Sequence, residues 1–230
     1  MALIDNLIRY YKLDEISGTT VTDATGTSNG TNSGATVNST GVINSGYDFN
    51  SNNDHINTNL AINPSTTDYS ISFWVNPDST TGKKIVSTDY DNNAPRGFQV
   101  YNEGTELVIS TGANVSTSSG AGYSSSAYQH IVVVLGQGTD NSYIYRNGVE
   151  VLNFTGDFNN VSKTLYLCSR VGAETNITFL GDMDEVGIWN RALTSSEVGD
   201  LHNSGAGLKY PFTGPPPEAA PLKIFDVRFG

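Results

Sequence analysis

The stretch Gly181–Leu193, GDMDEVGIWNRAL, decides the fold of this chain. Within it, Asp184–Trp189 is predicted to be a β-strand. Directly afterwards, Thr194–Asn203 begins like a helix, because Thr194 is a preferred N-cap residue and Glu197 follows at the capping-box spacing. A strand that runs into a short capped helix therefore closes the domain.

The rest of the chain up to residue 212 has the pattern of an all-β protein. Tyr69–Val75 alternates with the period of two that marks a half-buried strand, and His130–Leu135 is a continuous apolar run that predicts a fully buried one. Asn147-Gly148 predicts a type I′ hairpin turn, since that turn needs positive φ angles. With 24 glycines and 15% charged residues, the composition favours short strands joined by polar turns.

The composition changes after Phe212 and divides the chain. Residues 1–212 are predicted to form one domain, since all-β sandwiches of ~200–250 residues often fold as a single unit. Residues 213–230 begin with a proline-rich spacer that favours an extended, semi-rigid conformation. The end of this segment alternates, so we expect strand addition to a virion partner or to a second copy; the alternative is that it folds back onto its own domain. The docking residues are Phe225, Val227 and Phe229.

The net charge of −11 limits the partners of this chain. Such a surface repels nucleic-acid phosphates and anionic lipid headgroups, so we expect neither nucleic-acid binding nor membrane insertion. No apolar run approaches the ~18 residues of a membrane span, and the N-terminus lacks the features of a signal peptide. Cys168 is the only cysteine, so no intrachain disulfide forms, and we expect a buried, unreactive thiol.

Five segments, taken in order, resemble the laminin-G-like jelly roll of the concanavalin A-like lectins and glucanases. They are YYKLDEISGTTVTDATG, GYDFNSNNDHINT, YSISFWVNP, YQHIVVVLGQGTDNSYIYRNGVEV and GDMDEVGIWNRALTSSEV. The resemblance spans residues 1–212 and implies an all-β, two-sheet antiparallel jelly-roll sandwich with a short C-terminal helical turn and an extended C-terminal tail. Where many members have tryptophan before histidine, this chain has Tyr128-Gln129-His130, which should change packing rather than fold.

The resemblance also implies a structural calcium ion. Related jelly rolls hold one between the opening strand, the next glycine-containing strand and the aspartate of the closing strand, and calcium prefers carboxylate and carbonyl oxygens. The matching positions lie at Asp14, Gly46 and Asp184. The alternative is that Asp184 only accepts hydrogen bonds from backbone N–H groups.

No catalytic constellation is evident in the sequence. Some glycoside hydrolases of the same fold carry two carboxylates on one strand, but their motif Glu-x-Asp-x-(x)-Glu does not occur here. The nearest acidic cluster, Asp182, Asp184 and Glu185, belongs to the closing strand, away from the groove of the family. The histidines are scattered, and none has zinc-ligand spacing to the cysteine. We therefore expect no enzymatic activity.

The loop Asp89–Arg96, DYDNNAPR, is the candidate ligand site. It combines acidic, amide, aromatic and guanidinium groups, the mixture that sugar sites use; the alternative is an ordinary polar loop. Its candidate glycan-binding residues are Tyr90, Asp91, Asn92 and Arg96.

The Asn-, Thr-, Ser- and Gly-rich composition is typical of extracellular proteins, yet no export signal is evident. Release by lysis on a virus particle reconciles the two observations. The sequence therefore predicts a non-enzymatic protein of the phage virion surface, such as a head fibre, decoration or tail appendage, whose jelly roll binds a cell-surface glycan. The alternative is a secreted or cell-surface carbohydrate-binding module or adhesin.

Overall fold

A computed structural model describes residues 1–80, 83–88, 97–111, 114–117, 122–125, 127–168 and 178–213, with backbone alone for 114–117. One α-helix of this part, α1, spans Ser195–His202. The strands, in chain order, are β1 (Leu7–Tyr11), β2 (Thr20–Val21), β3 (Gly30–Ser33), β4 (Thr36–Thr40), β5 (Ser45–Phe49), β6 (His55–Ile62), β7 (Tyr69–Pro77), β8 (Lys84–Thr88), β9 (Phe98–Glu103), β10 (Glu106–Thr111), β11 (Asn114–Thr117), β12 (Gln129–Leu135), β13 (Asn141–Arg146), β14 (Val149–Thr155), β15 (Lys163–Leu167) and β16 (Gly181–Trp189).

The strands form two sheets with a shared core. The first, here called the helix-side sheet, has the order β14-β13-β12-β7-β16-β5-β4, with β1 paired to β16 off this path. The second, here called the opposite sheet, has the order β11-β10-β9-β8-β15-β6-β3-β2. All strand pairs described in both sheets are antiparallel. This architecture confirms the predicted two-sheet antiparallel jelly-roll sandwich with a short C-terminal helix.

Apolar side chains fill the space between the sheets and also cover one outer face. The core includes Phe49 of β5, Phe73 of β7 and Leu165 of β15, all fully buried. A second group, the outer cluster, lies where α1 meets the helix-side sheet. Its buried members are Val132, Val134, Tyr145, Trp189, Leu193, Val198 and Leu201. Because each large apolar side chain contributes ~1.5–3 kcal/mol when buried, the outer cluster fixes α1 to the sheet.

Strand β16 joins three other strands. It pairs with β7 along one edge, while on its other edge Gly181–Met183 pair with β5 and Val186–Trp189 pair with β1. A β-bulge between Asp184 and Gly187 coincides with the change of partner, and there Glu185 has a φ of 50°. Bulges redirect side chains, so this one sets where the two acidic residues of the strand point.

The local sequence signals are confirmed. Asn147 and Gly148 have φ values of 51° and 79° at the tip of the β13–β14 hairpin, as a type I′ turn requires. Thr194 caps α1, and the reciprocal bonds of a capping box with Glu197 are both present. Cys168 is buried, as expected for an unreactive thiol.

The prediction that β7 is only half-buried is wrong. Ile71 and Phe73 face the core, but Ser72 and Trp74 on the other face are also buried, each 4% exposed. Trp74 stacks on His202 of α1 with ring centroids 5.7 Å apart, so the helix covers the face that the alternation assigned to solvent.

Candidate functional site

The turn between β4 and β5, residues 41–44, is held by two carboxylates from distant parts of the chain. Asp184 of β16 accepts through Oδ2 from the backbone N–H groups of Val42 and Ile43, at 2.8 and 2.9 Å. Asp14, which follows β1, accepts from the backbone N–H of Ser45 at 3.2 Å and from the side chain of Asn44 at 3.1 Å. The fold thus brings two of the predicted calcium residues to one turn.

Gly46, the third predicted calcium residue, lies directly beside this turn. A Cβ atom at this position would lie 2.9 Å from the carbonyl oxygen of Met183 and 3.4 Å from the hydroxyl of Tyr128, so β5 and β16 need glycine here to approach each other. The Tyr128 hydroxyl donates to the carbonyl of Thr40 at 2.6 Å. Tyr128 therefore also holds the end of β4, next to the β4–β5 turn.

Glu185 belongs to the same site, although the sequence did not point to this role. It accepts a hydrogen bond from the Tyr10 hydroxyl, and it is 4% exposed. Burial raises the pKa of Glu185 to about 7 and that of Asp184 to about 8. Its position next to Asp184 was visible in the sequence, but the β-bulge that turns it toward Tyr10 depends on the pairing of β16 with its neighbours.

These residues fit a hard cation such as calcium in one clear respect. Asp184 Oδ1 and Glu185 Oε1 are buried and have no hydrogen-bond partner, a costly state for carboxylates that a cation would relieve. In the part of the chain that the structure describes, no group of three or more His, Cys, Asp or Glu side chains is arranged to hold a metal ion. Backbone carbonyls would therefore complete the shell, and calcium binding stays a prediction.

The predicted glycan-binding residues, Tyr90, Asp91, Asn92 and Arg96, lie outside the described residues. The two ends of their loop are described: the Thr88 hydroxyl accepts from the backbone N–H of Phe98 at 2.9 Å and so ties them together. A small cavity of about 10 Å³, room for about one water molecule, lies at this point. Its described lining is Ile62, Pro64, Thr88, Gly97, Phe98, Phe158, Asn159, Val161 and Lys163.

The predicted docking residues Phe225, Val227 and Phe229 also lie outside the described residues, so their role stays a prediction. None of the helices in the described ranges has the length and apolarity that a membrane span requires.

The two sheets, the closing strand and the capped helix define a concanavalin A-like β-sandwich. The sequence profile of Laminin_G_3, described as the concanavalin A-like lectin/glucanases superfamily, matches residues 50–199. The chain therefore belongs to this family. A comparison with curated proteins finds no match.

Solved structures share the fold at low identity. Domain 4 of AbnA, an extracellular GH43 arabinanase from Geobacillus stearothermophilus in complex with arabinotriose, aligns with a TM-score of 0.66 and 20% identity over 86% of this chain and 98% of that one. The binding domain of Paraclostridial Mosquitocidal Protein 1 aligns with a TM-score of 0.62 and 20% identity over 89% and 53%. Trypanosoma rangeli sialidase aligns with a TM-score of 0.68 and 12% identity over 89% of this chain but only 34% of its own length.

Proposed function

We propose that this chain is a carbohydrate-binding jelly-roll domain without catalytic activity, displayed on the surface of a phage particle. The observation that carries the glycan-binding part is the shared fold with an arabinanase domain whose structure is in complex with arabinotriose, 98% of which the chain covers. The family, which groups lectins with glucanases, and the toxin binding domains of the same fold support this assignment.

The positions of the buried acidic residues support a binding role rather than hydrolysis. A glycosidase needs two carboxyl groups that reach the substrate, about 5–9.5 Å apart. Asp184 and Glu185 are 0% and 4% exposed, and one oxygen of each already accepts hydrogen bonds from the β4–β5 turn or from Tyr10. Neither carboxyl group is open to a sugar chain.

Calcium has a structural role in this proposal. Asp14, Gly46 and Asp184 surround the β4–β5 turn, and a bound ion would supply positive charge beside the Asp184 oxygen that has no hydrogen-bond partner. The ion would fix the turn and bring no reactive chemistry to a substrate.

The glycan would bind through Tyr90, Asp91, Asn92 and Arg96, the candidate residues of the loop between Thr88 and Gly97. Titration calorimetry with arabino-oligosaccharides, preceded by a glycan array, tests this. Asp91→Ala and Arg96→Ala should each abolish binding, while Asp140→Ala, an exposed aspartate in the β12–β13 turn, should leave it unchanged. Absence of any array signal contradicts the glycan proposal, and equal binding by all three variants contradicts the assignment of the site to Asp91 and Arg96.

The second part of the proposal is the location on a phage particle, and the single cysteine supports it. A domain without disulfides folds in a reducing cytoplasm, where phage particles assemble, and Cys168 is indeed buried and unpaired. In this arrangement the tail, through Phe225, Val227 and Phe229, joins a virion protein or a second copy.

Immunogold labelling of particles and cells with antibodies against the domain tests the location. Label on particles supports the virion role. Label on cell envelopes or in the secreted fraction alone contradicts it and favours the alternative of a carbohydrate-binding module or adhesin. Deleting 214–230 should leave a folded monomer that no longer joins its particle; normal assembly of this variant contradicts the docking role of the tail.

A further inference from the structure

Strand β14 forms one end of the helix-side sheet. It pairs with β13 along one edge, and among the described residues no strand pairs with its other edge. Its first residue, Val149, is 65% exposed, and Val151 and Leu152 pack against the core while remaining only partly buried. An edge with open backbone groups and apolar side chains beside it is a template for a further strand.

Other edges of the described sheets are less suited to accept a strand. The register of β4 shifts between Thr36 and Ser39, where Asn38 has a φ of 61°, and the carbonyl of Thr40 already accepts from the Tyr128 hydroxyl. Bulges and occupied backbone groups both protect an edge from pairing. β2 and β11 are short, with two and four residues against seven in β14.

The outer side of β1 is also closed. The backbone N–H of Tyr10 donates to the Asp23 carboxylate at 3.0 Å, and the Tyr10 carbonyl accepts from the backbone N–H of Ala24 at 2.8 Å. These bonds occupy the backbone groups that a further strand would need. In the described part of the helix-side sheet, β14 is therefore the better acceptor.

The C-terminal half of β14 combines regular pairing with acidic neighbours. The irregularity in its pairing lies next to the hairpin turn, so Leu152–Thr155 keep a regular register with β13. Thr155 is opposite Asn141, which follows the exposed Asp140, and the exposed Asp157 comes two residues after Thr155. A basic residue at the end of an added strand would meet these two aspartates.

The segment after the proline-rich spacer, residues 222–229, has the matching charge and pattern. It contains Lys223 and Arg228 against the single acid Asp226, in a chain whose net charge is −11. All described strand pairs of the helix-side sheet are antiparallel. The same arrangement brings the Lys223 end of the segment to the two aspartates beside β14. Its alternating apolar residues would then lie beside the core.

The last described residues lie across α1 from β14. Phe212 packs on Tyr10 and Trp189, with ring centroids 5.4 and 6.3 Å apart. From Trp189, a row of paired residues crosses the sheet to β14 through Ser70, Val134, Tyr143 and Asn153. Four strand spacings of ~4.8 Å separate β16 from β14 by about 19 Å. α1 covers the strands between them through the outer cluster.

The spacer, residues 213–221, makes its own domain a poor target for the segment. Its proline-rich sequence favours an extended, semi-rigid form that spans at most ~28 Å. To reach β14 of the same domain, it would have to bend over a helix about 10 Å across. A second copy offers the same edge without this obstacle.

We propose that residues 222–229 of one copy add to the outer edge of β14 in a second copy as an antiparallel strand, and that the reciprocal exchange closes a dimer. The inference rests on the proposed docking role of the tail and names its acceptor. The three docking residues then cover Val151 and Leu152, while the backbone of the segment bonds the open groups of β14. Each copy carries one donor segment and one acceptor edge, so the exchange leaves neither β14 edge open.

Sedimentation equilibrium of the full-length chain is the first test. We expect a species of twice the chain mass of 24.6 kDa, and a monomer after deletion of 214–230. An excess of the peptide LKIFDVRFG should convert the full-length dimer to monomers, because it competes for the β14 edge. The same peptide with its two phenylalanines and its valine replaced by serine should have no effect.

The second test locates the acceptor edge by disulfide formation between two differently tagged full-length copies. One copy carries Ile224→Cys, on the face of the segment opposite the docking residues. The other carries Thr155→Cys on β14 or, as the matched control, Thr40→Cys on β4, since both threonines are exposed on an edge strand. Cys168 is buried and does not interfere. We expect at least about tenfold more mixed dimer with Thr155→Cys than with Thr40→Cys.

The outcomes separate this proposal from the docking role of the tail. A full-length chain that stays monomeric overturns the exchange, whereas the docking role stands if deletion of 214–230 still prevents joining to the particle. A dimer that survives this deletion, or equal cross-linking of both threonine variants, overturns the assignment to β14. An intramolecular disulfide in monomers of the double variant Thr155→Cys/Ile224→Cys would show that the segment folds back onto its own domain and would also overturn the exchange.

Discussion

The carboxylate of Asp184 accepts the backbone N–H of Ile43 at 2.9 Å through Oδ2, while its Oδ1 is buried without a hydrogen-bond partner. This arrangement combines the two alternatives that the sequence left open. Oδ2 accepts the hydrogen bonds of the β4–β5 turn, and Oδ1 remains available to a cation. The two roles of the side chain can therefore be separated by substitution.

Asp184→Asn should preserve the hydrogen bonds of the β4–β5 turn and abolish cation binding. The amide oxygen can still accept from Val42 and Ile43, but the negative charge is removed. We expect the wild type to gain ~2.7 kcal/mol of stability at a calcium concentration one hundred times its dissociation constant, and the variant to gain nothing. Melting curves with calcium and with chelator measure the difference. Asp182→Asn, on the same strand and bonded to Ser39 and Asn76, is the control that should retain the response.

The same two carboxyl groups predict how calcium-free stability depends on pH. Burial raises the pKa of Asp184 to about 8 and of Glu185 to about 7, both above their ordinary values near 4. Between these limits the native state holds protons that the unfolded chain has released, so the contribution of these two groups to stability falls as pH rises from about 4 to about 8. Calcium competes with these protons, so its stabilising shift in Tm should be larger at pH 8 than at pH 5.5. An equal shift at both values would mean that the ion binds elsewhere.

Local signals explain which parts of the fold the sequence predicts. The Asn147-Gly148 turn and the Thr194–Glu197 capping box depend only on neighbours in the chain, and both are confirmed. The short strands β2 and β3, TV and GTNS, have no apolar alternation and are defined by pairing with each other and with β6. Such elements need the tertiary structure to be recognised.

The candidate site was also predicted only in part, and the part that was missed depends on the tertiary structure. The resemblance placed Asp14, Gly46 and Asp184 together, and the structure brings them to one turn. Glu185 escaped prediction because a β-bulge, which the alternation of side chains does not reveal, turns it toward Tyr10. The packing of Tyr210 and Phe212 on Tyr10 escaped prediction because it joins residues far apart in sequence.

A buried histidine should make the fold sensitive to acid. His130 Nε2 is hydrogen-bonded to the Ser72 hydroxyl at 2.8 Å, and the centroids of the His130 and His202 rings are 6.0 Å apart. Burial, with His202 beside it, lowers the pKa of His130 to about 3. Below about 6.5 the unfolded chain binds a proton that native His130 does not bind, so the contribution of His130 opposes that of Asp184 and Glu185 and is lost as pH falls from about 6.5 to about 3.

His130→Gln removes the imidazole that binds a proton in the unfolded chain, and it keeps a polar group near Ser72. Urea unfolding should therefore show that the free energy of unfolding of the variant rises relative to that of the wild type as pH falls from 7 to 4. His55→Gln, on β6 of the opposite sheet, is the matched control and should follow the wild-type slope. Parallel slopes for the wild type and His130→Gln would show that other groups cause the acid sensitivity.

The ion pair at the start of α1 should be among the costliest contacts to break. Glu197 accepts from both terminal nitrogens of Arg191, at 2.7 and 2.9 Å, and also from the backbone N–H of Thr194. Both side chains are at most 10% exposed, so Glu197→Gln leaves a buried guanidinium without its counter-ion. We expect a loss of about 3–5 kcal/mol in the free energy of unfolding, measured in urea. Glu150→Gln, an exposed glutamate on β14, should change it by less than about 0.5 kcal/mol. A loss below about 1 kcal/mol for Glu197→Gln would place this pair with ordinary surface salt bridges and would mean that the outer cluster alone holds the helix.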